Sequence, residues 1–390
     1  MPTRPKTRWL LLTVLLAMCC ACRRTHPLRP YIAYVVNHDS ASLAEVNLAE
    51  FRVTGFVPIA ANAERVVVRP HTHHLYVVSA TGKITVAAYP RLRVVAMIDV
   101  GRSARDLVFS PDGRAAYVLD PVDQEIVFLD FRHASSAHLE EAIPRPSFRV
   151  HQEGTLNDLA LSPDGNTLVV ASASPGLLTF YDSATRRRLG SLPVGHAPGP
   201  MSMLPNGSKL FVADTGEEKI SVADVASRKV LVHLEIASRP TNLLMKPDGG
   251  ELFIFAAPAS NLIIADAYHD DVEQTFPLGS QPVAGVFRRD MSVLYIANAG
   301  DGSVLALDVQ NRQVLAVAHV GVEPHALALT PDERLLVVAD RAASSLAIVA
   351  ADPTSLNERR SLLITTVPVG ASPVDVVVPD VVPPRTPPHP

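Results

Sequence analysis

The feature that most constrains this chain is a unit of about 42 residues that recurs along nearly all of it. Short apolar runs end in a Pro-Asp turn: VFSPDG closing at Gly113, ALSPDG at Gly165, MKPDG at Gly249 and ALTPDE at Glu333. Related turns fall at Pro70, Pro205, Arg289 and Pro379. Anchored on Pro70, Pro111, Pro163, Pro205, Pro247, Arg289, Pro331 and Pro379, the steps are 41, 52, 42, 42, 42, 42 and 48 residues. Self-similarity at this period marks a repeat architecture, because each unit cannot bury its apolar face alone.

Each unit also aligns internally. An apolar run follows the anchor, as in FVAD from Phe211, FIFA from Phe253, YIAN from Tyr295 and VVAD from Val337. An aspartate then recurs at Asp130, Asp182, Asp224, Asp266 and Asp308. A Gly and a Pro follow, as Gly195/Pro198, Gly279/Pro282 and Gly321/Pro324. The runs are short, rich in Val, Leu and Ile, and bounded by Gly, Pro, Asn and Asp, with no helical periodicity. These are strand signals. Four such strands per ~42 residues is the spacing of a β-propeller blade.

The stretches LYIAN, SVLALD and VGVEPHALALTPD are similar to the blade pattern of the YVTN-repeat β-propeller family, and the resemblance extends over Tyr31 to Asp380. It implies an all-β single propeller of four-stranded blades and says little about function. WD40 repeats need a recurring Trp, and the one tryptophan here is Trp9. Eight innermost strands are expected, the last at Val374–Val378. The chain opens at Tyr31 with runs matching the second, third and fourth strands of a blade. Pairing the spare last strand with these closes the ring and removes two exposed sheet edges. The spacing favours eight blades, with seven as the alternative. The long step after Pro111 predicts an inserted surface loop around His133–Pro146. Residues 381–390 read as a Pro-rich tail.

The N-terminus reads as an address. Arg4, Lys6 and Arg8 precede a short apolar run, Trp9 to Ala17, too short to span a bilayer. The following LLAMCCAC resembles a bacterial lipoprotein box. Residues 1–18 are then the signal, residues 19–30 a linker, and Cys19 the lipidated residue, with Cys22 as the alternative and ordinary cleavage after Ala21 as the non-lipid reading. The three cysteines, Cys19, Cys20 and Cys22, lie here and nowhere else, so the body has no disulfide, thiol nucleophile or Cys-ligated zinc. Arg23 stands where a c-haem site needs histidine. Lys and Arg number 35 against 39 Asp and Glu, without clusters, which argues against nucleic acid as a partner.

In a propeller blade, the loops after the second and fourth strands open on one face around the channel, where ligands usually bind. The second-strand ends give Asn37, Ser79, Asp120, Ser172, Asp214, Ala256, Asn298 and Asp340, read here as turn caps, like the third-strand aspartates. The start of the inner strand varies instead: Arg65, Asp106, Asp158, Pro200, Asn242, Ala284, Ala326 and Asp375, preceded by residues that include Arg105 and His325. Scaffold positions in a repeat should look alike, and these do not. Arg65, Arg105, Asp106, Asp158, Asn242, His325 and Asp375 are therefore the candidate ligand-binding residues of a polar channel mouth. It would take a small anionic or zwitterionic ligand, or a cation on Asp106, Asp158 and Asp375. The HTHH run of His71, His73 and His74 reads as a solvated turn on the opposite face. His196 and His325 sit on the ligand face as possible general bases, without an assignable Ser or carboxylate partner.

The expectation is an exported, lipid-anchored binding or scaffolding module at the cell envelope, with a protein or small-molecule partner and membrane contact through the anchor alone. No catalytic residue, metal ligand or cofactor is assigned; a divalent cation or haem stays open. The alternative, implied by resemblance to lactonase-type propellers and to the haem-binding propeller of bacterial nitrite reductase, is an enzyme or cofactor carrier.

Overall fold

The computed structural model describes residues 31–131, 143–278, 280–351 and 362–380. The signal, the linker, the cysteines and the C-terminal tail lie outside the described residues. So does most of the predicted insertion. Arg145 and Pro146, assigned to that loop from the spacing, instead begin the outer strand Arg145–His151, because Pro146 pairs with Leu129.

The described strands form eight antiparallel sheets of four, each a blade. Seven blades are continuous: residues 63–99, 106–151, 156–193, 198–235, 242–277, 282–319 and 324–368, numbered 2 to 8 here. Blade 1 is composite. Ile32–Asn37, Ser42–Asn47 and Arg52–Pro58 are its outer three strands, and Pro373–Val377 is its innermost. Val35 pairs with Val376 and Val36 with Asp375, so the two ends of the chain close an eight-bladed ring. Among the described residues the helical content is one short turn, Ala257–Ala259.

The burial pattern explains the sequence pattern. Middle strands such as His74–Ser79 and Val293–Asn298 are buried throughout, whereas outer strands such as Arg52–Pro58 alternate. A middle strand is covered on both faces by neighbouring blades, so it needs a continuous apolar run. Eight apolar clusters result, one between each pair of adjacent blades. Each full burial of a Val, Leu or Ile is worth roughly 1.5–3 kcal/mol. The Pro-Asp-Gly turns also link blades: Gly113 has φ +66°, and a Cβ there would lie 2.6 Å from the Pro70 carbonyl oxygen of the preceding blade.

The third-strand aspartates behave as turn caps. Asp182, Asp224, Asp266 and Asp308 accept the backbone N–H groups of Thr185, Ser227, His269 and Asn311. Asp130 differs in facing Arg186 across the blade boundary. His74, expected in a solvated turn, is instead 8% exposed, because it opens the middle strand of blade 2. His73 packs edge-on against Tyr89.

Candidate functional site

A cavity of about 580 Å³ opens at the channel mouth. It is bordered by Glu64, Arg65, Arg105, Asn242, His325 and Asp375 from the inner-strand starts, and by His38 and Arg341 from the loops after two second strands. Both loop types therefore meet on one face. His38 and Arg341 were missed because the sequence reading stopped at Asn37 and Asp340. The next position in the repeat is Ala or Pro in five blades and Thr215 in a sixth, and the two basic departures from it are the signal.

The acidic members of the ring are directed elsewhere. Asp375 Oδ2 accepts the Val66 N–H of blade 2 at 2.8 Å. Asp158 Oδ2 accepts the Met201 N–H of blade 5 at 2.7 Å. Asn157 and Asn242 donate to the Pro198 and Val283 carbonyls of their next blades, at 3.0 and 3.2 Å. Asp106 binds Arg65 of the preceding blade and accepts its neighbour Leu107 N–H. The column read as ligand-binding thus tethers one blade to the next, and neither Asp106 nor Asp158 borders the cavity.

Electrostatics follow from this. Burial lifts Asp158 to about 7, assisted by Asp106, and lifts Asp375 to about 6 against the pull of Arg65. Burial also raises Asp106, with Arg65 opposing it. Burial works against the Arg65 cation, but Asp106, Asp375 and Asp158 outweigh it and hold the proton more firmly than in free arginine. Burial, helped by Arg341, pushes His325 down. Among the described residues Arg105 and Arg341 form no ion pair. No three His, Cys, Asp or Glu side chains among them are placed to hold a metal ion, so Asp106, Asp158 and Asp375 do not form the cation site considered from sequence. Their oxygens are committed to neighbouring backbone and to Arg65.

The second-strand ends are all buried, but they are not the uniform turn caps expected. Ser79 and Asp120 accept turn N–H groups, Asn37 and Asn298 donate to Ser42 and Ser303, Asp214 accepts from Ser221, and Ala256 has no capping atom. Asp120 accepts the Val122 and Asp123 N–H groups at 3.0 Å and also the Arg102 N–H. The recurring glycine lies against this residue: a Cβ on Gly101 would fall 2.1 Å from Asp120 Oδ2, and one on Gly195 2.2 Å from Asp214. Glycine recurs there because the buried carboxylate leaves no room for a side chain.

The family described as "Lactonase, 7-bladed beta-propeller" matches residues 83–242, less than half of the chain. No curated protein matches the sequence. Among solved structures, the dihydro-heme d1 dehydrogenase NirN in complex with DHE is 17% identical, with a TM-score of 0.72 over 96% of this chain and 77% of that one. Apo AztD from Citrobacter koseri is 12% identical, with a TM-score of 0.66 over 89% and 97%. Hydrazine synthase from Kuenenia stuttgartiensis is 18% identical, with a TM-score of 0.54 over 70% and 88%. At such identities the likeness shows the fold alone. The chain belongs among the β-propellers, with eight blades rather than the seven of the matching lactonase description.

Proposed function

We propose that this protein is an exported, lipid-anchored propeller that binds a small multivalent anion, a di- or tricarboxylate or a phosphate ester, at its channel mouth. The carrying observation is the pair Arg105 and Arg341, unpaired among the described residues on a cavity of about 580 Å³ whose lining carboxylates are Glu64 and Asp375, the latter spent on the Val66 N–H. Arginine presents a planar fork of donors suited to carboxylate and phosphate. His38 and His325 add polar groups to the same cavity. The rigid ring supplies preorganisation, which lowers the ordering cost of binding. Export and anchoring rest on the basic and apolar run of residues 4–17 and on Cys19, with Cys22 as the alternative acceptor.

Calorimetry and thermal melting with citrate and with inorganic phosphate test the ligand class. A rise in melting temperature that disappears in Arg105→Ala and Arg341→Ala supports it; no rise with either anion overturns it. Labelling with a radioactive fatty acid, lost in Cys19→Ser, tests the anchor. A second reading, a cofactor carrier, draws on the superposition of nearly the whole chain on a dihydro-heme d1 dehydrogenase. It predicts visible absorbance in protein purified from its native envelope, where the anion reading predicts none.

A further inference from the structure

Blade 5 carries an Asp–Ser–His line of side chains where blade 4 has Ser172, Thr179 and Ser191 and the other blades have apolar or unlike residues. Asp214 closes its second strand, Ser221 lies on the third strand Lys219–Asp224, and His233 on the outer strand Lys229–Glu235. Ser221 is the cross-strand partner of His233. Its Oγ donates to Asp214 Oδ2 at 2.7 Å and lies 2.9 Å from His233 Nδ1. An ionised carboxylate only accepts, so the hydroxyl proton is committed to Asp214 and the oxygen accepts from Nδ1–H. That hydrogen bond selects the neutral tautomer whose Nε2 is an acceptor. Asp214 and Ser221 are fully buried, and His233 is exposed.

Elsewhere in the ring the position of Ser221 is apolar, as at Ala44, Val127, Ile263 and Leu305, or a threonine, Thr85 and Thr179. None of the other blades has a histidine opposite it. The departure from the repeat is confined to one blade, and it ends in a cavity. About 630 Å³ of space between blades 4 and 5 is bordered by His233, His196, Lys219 and Glu217 on one side and by Thr155 and Ser174 on the other. Blade 4 brings no titratable side chain to it. Lys219 is a diagonal neighbour of His233 on the same face of the blade, about 7–8 Å away for such a pair. Its ammonium lies 3.6 Å from Glu217 and 3.7 Å from Glu235, separations that leave it able to turn toward a ligand.

We propose that this cavity is a second ligand site, in which His233 takes the proton of a weakly acidic hydroxyl, a phenol or enol, and Lys219 holds the resulting oxyanion. The proton passes from the ligand oxygen to Nε2, and no bond between heavy atoms changes. Nδ1–H stays on Ser221, and the charge of the imidazolium is compensated through that hydroxyl by Asp214. Burial lifts the Asp214 carboxyl to about 6, with the His233 cation pulling it back, so it is ionised at neutral pH. The other charged or titratable groups around His233 are Glu217, Lys219 and His196 in the cavity lining and Glu235 beside Lys219. Ser221 and Asp214 are positioning residues, since neither reaches the ligand.

The experiment uses 4-nitrophenol as the probe, whose phenolate is yellow and whose phenol is colourless, at a pH below the phenol's own pKa. The wild-type protein is expected to raise the phenolate band in a saturable way. The band is lost in His233→Gln, weakens roughly tenfold in apparent affinity in Ser221→Ala, the scale of one charge-assisted hydrogen bond, and returns in Ser221→Thr. Arg105→Ala, at the channel mouth, leaves it unchanged, so failure here and failure of the mouth site are distinguishable. His233 lies on an exposed strand, so its variant folds, and circular dichroism checks this. No band with the wild-type protein, or a band retained in His233→Gln, overturns the proposal.

Discussion

Asp375 Oδ2 accepts the backbone N–H of Val66 at 2.8 Å, across 309 residues of sequence. Through this contact the last strand of the chain is held both to the first blade, by its ladder with Ile32–Asn37, and to the second blade, by its side chain. Val66 is 4% exposed, so its N–H has no ready access to water. Asp375→Ala leaves that donor unsatisfied and is expected to cost about 1–3 kcal/mol. Asp375→Asn, which keeps an acceptor oxygen, is expected to cost less. Denaturant melts of the two variants side by side check the ordering.

Closure of the ring depends on the strand Pro373–Val377. A chain ending at residue 372 exposes the edge of Ile32–Asn37, an otherwise buried strand, and opens the apolar cluster shared by blades 8 and 1. Unpaired edges recruit other edges. Light scattering is expected to show aggregation of this truncated chain under conditions where the full chain stays monodisperse.

Stability is expected to fall as pH rises from about 4 to about 7. Burial lifts Asp340 to about 7 and Asp214 to about 6, as it does Asp158 and Asp375 at the mouth. Each binds its proton more tightly folded than unfolded, where the value is 3.8. Their contribution is therefore greatest when protonated and is lost as pH rises through 6 and 7. Asp164, Asp182 and Asp308 act in the opposite direction at lower pH, held down by hydrogen bonds from Ser162, Thr185 and Asn311. Asp340→Asn removes one of the raised groups and is expected to flatten the slope of melting temperature against pH above 6. An unchanged slope contradicts this account.

Glycine positions separate packing from chain flexibility. Gly101 has φ +144° and its Cβ would meet Asp120 at 2.1 Å, whereas a Cβ on Gly55, in an outer strand, meets nothing within 4 Å. Gly101→Ala is expected to cost about 1–3 kcal/mol, the range for forced overpacking. Gly55→Ala is expected to be neutral or slightly stabilising. Equal melting temperatures for the pair count against the close-contact explanation.

At the channel mouth, Arg341→Ala and Arg65→Met should differ in kind. Arg341 forms no ion pair among the described residues, so its loss should leave the melting temperature within about 0.5 kcal/mol equivalents. It should weaken anion binding roughly tenfold. Arg65 neutralises the buried Asp106, so Arg65→Met should destabilise the fold, and less at pH 5 than at pH 8, because burial raises the Asp106 carboxyl and lower pH favours its neutral form. Calorimetry with citrate and thermal melts at the two pH values separate the effects.

Much of the architecture was legible because its causes are local. The Pro-Asp-Gly turn, the apolar middle strands and the capping aspartates each depend on a few neighbouring residues, and eight repetitions make them readable. Ring closure was also legible, since an unmatched first blade and a spare last strand imply each other. Burial of His74 was not, because the turn residues around it resemble a solvated loop. The candidate column was found, but its role was only partly visible. Asp158 and Asp375 occupy the same repeat position, yet Asp375 borders the mouth cavity and Asp158 does not.

The sequence by itself determined an all-β propeller and the face on which its loops converge, because strand propensity and turn chemistry act over a few residues and recur. Only the tertiary structure decided where the carboxylates point, since Asp158 and Asp375 reach backbone donors, and Asp106 the Arg65 side chain, on blades about 41 residues or more away. It alone placed Arg341 and Arg105 on one cavity, and aligned Asp214, Ser221 and His233. Those last contacts depend on ladder register and on the closed ring, which bring together side chains that no spacing in the chain marks as neighbours.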